Sequence, residues 1–188
     1  MIKIGITGSI ASGKTTAGKI VSKKRGPLFS ADMAVKSLYK KLKFRKLVAQ
    51  KLDFNLDKNF KESIKRKILF KKKNLKVLEK IIHPRVRKEM FAFIKKNKRK
   101  KFLFLEIPLL IESKLMHNFD LIIFIKSKKK IRLKRYLSKG GDTKLFSFLN
   151  NQQLKESKKM KFADYIIVNN KSLMFLRKRL LNIINKYG

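Results

Sequence analysis

The chain has 188 residues, 44% of them hydrophobic, and contains no cysteine. This size and composition exclude a disordered tail and favour one compact domain, and the lack of thiols excludes disulfides and thiolate metal sites. No apolar run reaches the roughly 18 residues of a membrane span. No signal-peptide pattern precedes the first apolar run, so we expect a cytoplasmic protein without a membrane partner.

The formal net charge of +39 comes from 51 Lys and Arg against 12 Asp and Glu, and such an excess favours a polyanionic partner. The basic residues are mostly lysines spread along the whole chain, with short clusters at 71–73, 98–101 and 128–130. Lys, Ile, Asn and Phe are abundant together, as a strongly AT-rich coding bias produces. We therefore favour a solvated lysine surface over a nucleic-acid interface, although a positive cleft would still concentrate a small anionic substrate.

Five short apolar runs predict buried strands, at 2–6, 27–30, 102–107, 121–126 and 165–168. Between and after them, the sequence predicts helices at 14–24, 33–50, 60–70, 74–81, 84–97, 128–138, 144–158 and 171–186. Continuous apolar strands that alternate with helices are typical of a parallel sheet covered on both faces. We therefore predict an α/β fold with right-handed crossovers.

Residues 8–15, directly after the first predicted strand, match the phosphate-binding pattern G-x-x-x-x-G-K-[ST]. Such a loop turns its backbone N–H groups inward around phosphate oxygens, and Gly8 and Gly13 leave room for that turn. Lys14 would reach the β- and γ-phosphates, Thr15 would ligate Mg²⁺, and the following helix would direct its N-terminus at the anion. The motif predicts nucleoside triphosphate binding without identifying the acceptor, because kinases, GTPases and ATPases share it.

Two acidic residues that follow predicted strands are candidates for the chemistry, since strand carboxyl ends line the ligand crevice of a parallel sheet. Asp32 could orient or deprotonate an acceptor hydroxyl, or it could cap the helix that carries Val35 and Leu38. Glu106, at the end of the third strand, could contact Mg²⁺ through water or could face solvent.

The basic segments outside the core suggest two mobile or inserted parts. Residues 33–100 are too long for a simple crossover and predict an inserted substrate-binding region. Within them, Pro84 is expected to end one helix and start the next, and His83 alone would be a cap or a packing residue. Arg135 and Lys139 lie four residues apart before two glycines, as in a lid that supplies cations to a transferring phosphoryl group, or on a solvated helix face.

In their order and spacing, five segments of the chain resemble the dephospho-CoA kinase family: 6–16, 30–32, 82–84, 107–112 and 163–169. The resemblance implies a P-loop kinase three-layer fold with a central parallel sheet of about five strands. It implies one domain over 1–188, with a core at 1–32 and 101–188, a helical substrate insertion at 33–100 and a lid at 128–150.

The resemblance also implies ATP-dependent phosphorylation of the ribose 3′-hydroxyl of dephospho-CoA, which gives CoA and ADP in the last step of coenzyme A biosynthesis. The catalytic residues would be Lys14, Asp32 and Arg135, with Mg²⁺ on Thr15. ATP would contact Gly8, Ala11, Ser12, Gly13, Lys14, Thr15, Thr16 and Asn169. The substrate would be bordered by Asp32, His83, Pro108, Leu109 and Glu112.

The chain departs from the family pattern at several positions. Ser9 and Ala11 stand where glycines are usual, which predicts a stiffer loop, and Ser30 replaces the first aspartate of an Asp-Ala-Asp segment. Lys36 and Lys139 stand where arginine is usual, and lysine makes no bidentate phosphate contact. We expect kinase activity to survive these departures. We also expect the protein to be a monomer. The alternatives are another small-molecule or nucleotide kinase and, from the charge alone, an RNA-binding protein with a nucleotide site.

Overall fold

The computed structural model describes residues 1–188 and divides them into two compact units. The first unit contains residues 1–30 and 96–188, and the second contains residues 31–95. No helix is long and apolar enough to cross a membrane.

The first unit is built on one five-stranded sheet in the order β2-β3-β1-β4-β5, with every neighbouring pair parallel. The strands are β1 (Ile2–Gly8), β2 (Leu28–Ser30), β3 (Phe102–Glu106), β4 (Leu121–Lys126) and β5 (Tyr165–Val168). The predicted parallel α/β sheet is therefore confirmed, with small differences at the strand ends. Because β1 is the central strand and ends at Gly8, the phosphate-binding loop lies at the carboxyl end of the middle of the sheet.

Apolar side chains on both faces explain why these segments form buried strands. All of β3 and nearly all of β4 is buried. On one face, α1 (Lys14–Ser22) and α9 (Leu173–Ile184) contribute Ala17, Val21, Leu176 and Leu180 to the main apolar cluster. Burial of a valine or leucine side chain contributes about 1.5–3 kcal/mol. This packing fixes the start of α1 behind the loop.

The remaining helices of the first unit are α6 (Lys129–Leu137), α7 (Thr143–Gln152) and α8 (Glu156–Met160), and residues Met116–Asn118 form a short 3₁₀ helix. The predicted continuous helix at 144–158 is wrong, because the backbone is extended at Gln153 (ψ 151°). Tertiary hydrogen bonds override the helical pattern there: Gln153 Oε1 accepts from Ile10 N (3.2 Å), and Leu154 N donates to Glu112 Oε1 (3.3 Å).

The second unit is entirely helical, with α2 (Ala31–Lys40), α3 (Leu42–Leu52), α4 (Phe60–Phe70) and α5 (Lys72–Lys96), whose last residue belongs to the first unit. Aromatic rings hold it together. Phe60 makes an edge contact with Tyr39 at a centroid distance of 5.4 Å, and it lies 6.0 Å from Phe54. Burial raises the pKa of Tyr39 to about 12.

Two predicted helix boundaries in this unit are wrong. The helix predicted at 33–50 is broken at Lys41, whose backbone is extended (ψ 118°). Conversely, α5 runs without interruption through Pro84, although the sequence predicts two helices, at 74–81 and 84–97. Proline lacks the N–H for an i−4 bond, which weakens a helix locally. The carbonyl that Pro84 leaves without this donor is that of Lys80; in the same turn, Arg85 Nη1 donates to the carbonyl of Ile81 (2.7 Å).

Candidate functional site

The phosphate-binding loop between β1 and α1 has the backbone that its glycines predict. Gly8 and Gly13 have φ angles of 149° and 101°. A Cβ atom on Gly8 would overlap the carbonyl oxygen of Ile125, and one on Gly13 would overlap the amide of Asn169. Both positions therefore require glycine for space as well as for backbone conformation.

Ala11 also adopts a left-handed conformation, with φ of 56°. For a residue with a Cβ atom this conformation costs about 1–2 kcal/mol. The loop thus stores strain at one of the positions where the chain departs from the family pattern. Adjacent Ser12 is fully buried, and its Oγ has no hydrogen-bond partner.

Lys14 lies buried at the start of α1, and its Nζ donates to the carbonyl oxygen of Ser9 (2.9 Å). The same carbonyl accepts the N–H of Ser12 (3.2 Å). The ammonium is therefore held beside the loop whose N–H groups form the anion site. A cation in this place, next to a helix N-terminus, favours a bound phosphate.

Glu106 at the end of β3 is 0% exposed, which contradicts the possibility that it faces solvent. Its Oε1 accepts from Thr15 Oγ1 (2.6 Å), and its Oε2 accepts from Ser30 Oγ (2.8 Å). The sheet register explains the second bond, because Ser30 of β2 pairs with Glu106 of β3. Two hydroxyls and a carboxylate converge here, and such oxygen groups are the ligands that Mg²⁺ accepts.

Arg135 of α6 and Asn169 after β5 both meet the loop at Ser12. Asn169 Nδ2 donates to the carbonyl of Ser12 (2.8 Å), and Arg135 Nη1 donates to the same oxygen (3.4 Å). Arg135 Nη2 also donates to the carbonyl of Asn169 (3.1 Å). Burial lowers the pKa of Arg135. The structure therefore brings these two predicted residues together beside Gly13.

Sequence reasoning missed a second set of contacts, at loop residues Ser9 and Ile10. Ser9 Oγ donates to Glu156 Oε1 (2.6 Å), and Glu156 is paired with Arg132 Nη2 (3.5 Å). Arg132 is buried and also donates to the carbonyl of Ile10 (3.3 Å). Burial lowers the pKa of Arg132, and the charge of Glu156 opposes that shift. No short-range pattern signals these pairs, because the partners are far apart along the chain.

The segment after β3 belongs to the first unit and is tied to β1. The hydroxyl of Thr7 donates to the carbonyl of Pro108 (3.2 Å), and the carbonyl of Leu109 accepts the N–H of Ser113 (2.9 Å) in a turn. Glu112 Oε1 lies 2.5 Å from Nζ of the fully buried Lys159, whereas its Oε2 is buried without a hydrogen bond. Glu112 is thus the partner of a buried cation.

Asp32 and His83 belong to the helical unit. Because α2 begins at Ala31, Asp32 is the second residue of the helix and not its cap, and its side chain is exposed. His83 is half-buried on α5, and burial lowers its pKa, with Glu79 opposing and Arg87 reinforcing the shift. Thr15 and Thr16 are exposed at the start of α1.

Comparison with known proteins gives one consistent family. A family model described as dephospho-CoA kinase matches residues 2–174. The dephospho-CoA kinase of Rickettsia bellii is 32% identical over 98% of this chain and 96% of its own length. The dephospho-CoA kinase of Bartonella henselae is 33% identical over 96% of this chain and 95% of its own length. A solved dephospho-CoA kinase from Campylobacter jejuni is 27% identical, covers 98% of this chain and 96% of its own, and superposes with a TM-score of 0.66.

Proposed function

We propose a division of the reaction among individual residues, given that the chain belongs to the dephospho-CoA kinase family. The chain is accordingly an ATP-dependent kinase with the P-loop kinase fold, and it phosphorylates the ribose 3′-hydroxyl of dephospho-CoA to give CoA and ADP. The structural observation that carries the proposal is the strained, glycine-dependent loop at 8–15 with Lys14 buried beside it.

The phosphate groups of ATP are bound by the loop and by two cations. The N–H groups of residues 11–16 line the anion site, and Lys14 moves its ammonium from the carbonyl of Ser9 to the β- and γ-phosphate oxygens. Arg135 adds charge from the other side of Gly13, where its guanidinium lies within 3.4 Å of the loop carbonyl of Ser12. Asn169 lies on the adenine side and keeps that carbonyl turned away from the phosphates.

The oxygen groups at the end of β3 fit a magnesium ion. Thr15 Oγ1 would be the direct ligand, and Glu106 would hold a metal-bound water or the Thr15 hydroxyl. When bound, the ion neutralises charge on the β- and γ-phosphates. Ser30 holds the second oxygen of Glu106, so the carboxylate keeps its orientation although no aspartate stands at position 30.

Asp32 is the proposed base for the acceptor. Its carboxylate is exposed in the first turn of α2, so a substrate hydroxyl can reach it. It would accept the proton of the 3′-hydroxyl and orient the oxygen for in-line attack, a role that contributes roughly 10²- to 10⁴-fold to such reactions. In-line geometry and exclusion of water would come from Arg135 and the lid at 128–150.

The helical unit offers a place for the rest of dephospho-CoA. It contains an open cavity of about 460 Å³ whose apolar lining includes Leu38 and Phe44. The charged residues of the lining are four cations and one carboxylate: Lys41, Lys43, Arg85, Lys88 and Glu89. A lining that combines apolar side chains with an excess of cations suits a diphosphate joined to an amphipathic arm. We assign the acceptor to this unit and propose that His83 borders it.

The proposal is tested by incubating the purified chain with ATP, Mg²⁺ and dephospho-CoA and measuring CoA and ADP, with AMP, adenosine and shikimate as competing acceptors. Stoichiometric CoA formation is expected. Nucleotide binding without transfer to dephospho-CoA, or faster transfer to another acceptor, would contradict the assignment. Salt-dependent RNA binding that neither ATP nor dephospho-CoA displaces would instead favour an RNA-binding role.

A further inference from the structure

Ser9 connects two parts of the nucleotide site through two different atoms. Its hydroxyl donates to Glu156 Oε1 (2.6 Å), and its carbonyl oxygen accepts from Lys14 Nζ (2.9 Å). Ser9 is buried, as is its bond to Lys14, whereas the bond to Glu156 is partly buried because that side chain is 24% exposed. Because the hydroxyl and the carbonyl belong to one residue, a change of the Ser9 conformation would move the acceptor that holds Lys14.

Glu156 is itself held in place by a buried cation. Arg132 Nη2 lies 3.5 Å from Glu156 Oε1, and the same guanidinium donates to the carbonyl of Ser127 (3.1 Å) and to Asn150 Oδ1 (2.8 Å). Its remaining bond, to the carbonyl of Ile10, ends on the loop. The carboxylate therefore has a fixed position with respect to the loop.

A second contact from the same segment ties the neighbouring loop residue. Gln153 Oε1 accepts the N–H of Ile10 (3.2 Å). Residues 150–156 thus hold the loop at three atoms. Glu156 binds the hydroxyl of Ser9, Gln153 binds the N–H of Ile10, and Arg132, itself bonded to this segment, binds the carbonyl of Ile10. Three bonds of this kind restrict a loop that also carries the strained Ala11.

We propose that Glu156 is a positioning residue for the nucleotide site: through Ser9, it holds the loop in the conformation that presents Lys14 and the inward N–H groups to the phosphates of ATP. The proposal rests on the nucleotide role assigned above. Glu156 acts through Ser9 and not on the substrate, because a carboxylate would repel the phosphates. Its contribution is preorganisation, which lowers the ordering cost of binding.

Loss of this hydrogen bond is expected to weaken nucleotide binding selectively. A hydrogen bond to a charged carboxylate corresponds to roughly a tenfold effect when its loss frees the loop. We therefore expect Ser9→Ala and Glu156→Ala each to raise the Kd for ADP and the KM for ATP about tenfold. The KM for dephospho-CoA stays within about twofold, since the acceptor is assigned to other residues.

The test is a double-mutant cycle on ADP affinity, measured by calorimetry without acceptor, with Tm recorded for each protein. If the two residues act as one unit, Ser9→Ala/Glu156→Ala binds ADP no more weakly than the weaker single variant. Ser157→Ala, an exposed hydroxyl on the same helix, is the control and keeps the original Kd. Additive effects, or single variants with unchanged Kd at unchanged Tm, overturn the proposal.

Removal of Glu156 leaves the Arg132 charge unpaired and can unfold the chain, so Glu156→Gln is included. It keeps an acceptor oxygen for Ser9 and is expected to bind ADP within about threefold of the unmodified protein. If Glu156→Ala does not fold, Ser9→Ala with an unchanged ADP Kd is sufficient to overturn the proposal. Because ADP binding needs no acceptor, failure of the dephospho-CoA assay and failure of this proposal are separate results.

Discussion

The two compact units of the chain bury different kinds of side chain. The first unit buries hydroxyls, an amide, a carboxylate and three cations, whereas Ser63 is the one buried polar residue of the helical unit. The helical unit instead packs aromatic rings and aliphatic stems, with Arg45 over Phe60 (5.1 Å) and Arg85 over Phe44 (5.6 Å). Buried polar groups are retained at a cost in desolvation, so their concentration in the first unit supports the assignment of the nucleotide site to that unit.

Substitutions in the two units should therefore fail in different ways. In the first unit, loss of a polar group near the loop is expected to reduce nucleotide binding or activity while the apolar sheet keeps the fold. In the helical unit, loss of a ring is expected to reduce stability first. Lys14 tests the first unit, and Phe60 and His83 test the helical unit. Asp32 also lies in the helical unit, but its side chain is exposed and is assigned to the chemistry, so its substitution is expected to lower activity and not stability.

Lys14→Ala is expected to abolish phosphoryl transfer, with kcat reduced on the order of 10³-fold or more, because no other loop cation replaces its charge in the transition state. Steady-state CoA formation is the measurement. Lys19→Ala removes an exposed lysine from the same helix and should keep near-normal kcat. Turnover of Lys14→Ala at close to the unmodified rate would show that the loop is not the phosphoryl-transfer site.

Asp32→Asn should lower kcat by roughly 10²- to 10³-fold and leave ATP affinity unchanged, because the amide keeps the shape but does not accept the proton. Glu62→Gln is the matched control, since Glu62 is also an acidic residue in the first turn of a helix. If Asp32→Asn loses ATP binding as well, or if both variants lose activity equally, Asp32 has a structural role and not a catalytic one.

Phe60→Leu is expected to lower the free energy of unfolding by about 1 kcal/mol, because the edge contact with Tyr39 and the cation over the ring are lost. Chemical denaturation measures this change. Phe70 is 89% exposed, so Phe70→Leu should change stability by much less. A Phe60→Leu protein of normal stability but reduced ATP affinity would contradict the proposed separation of roles.

His83 should make the free energy of unfolding weakly pH-dependent. Its pKa is lower in the folded chain than the ordinary value of 6.5, so the unfolded chain binds the proton more readily. The stabilisation is present above about pH 6.5 and is lost as the pH falls toward the folded pKa. The slope of unfolding free energy between about pH 7.5 and 5.5 should be smaller in His83→Gln; an equal slope in both proteins would contradict this.

The sequence predicted the sheet well because its strands are continuous apolar runs, which are typical of a parallel sheet covered on both faces. It also predicted the loop, because the loop pattern needs glycine at fixed positions. It did not predict the ends of helices. The pattern across 144–158 is helical, yet Gln153 and Leu154 leave the helix to form hydrogen bonds with residues far away in the chain. The continuous α5 is the opposite case: proline usually breaks a helix, yet this helix of 25 residues continues through Pro84.

Within the site, local sequence was enough to predict the anion-binding loop, the lysine and the hydroxyl at its end, because their spacing is short and the backbone conformation follows from residue type. Only the folded chain shows that Glu106 is buried between Thr15 and Ser30, and that Ser9 meets Glu156 across the fold. Such pairs depend on strand register and on the packing of α8, which join residues that no short-range pattern connects. A hydrogen bond of this kind exists only after the sheet has placed both partners within about 3 Å.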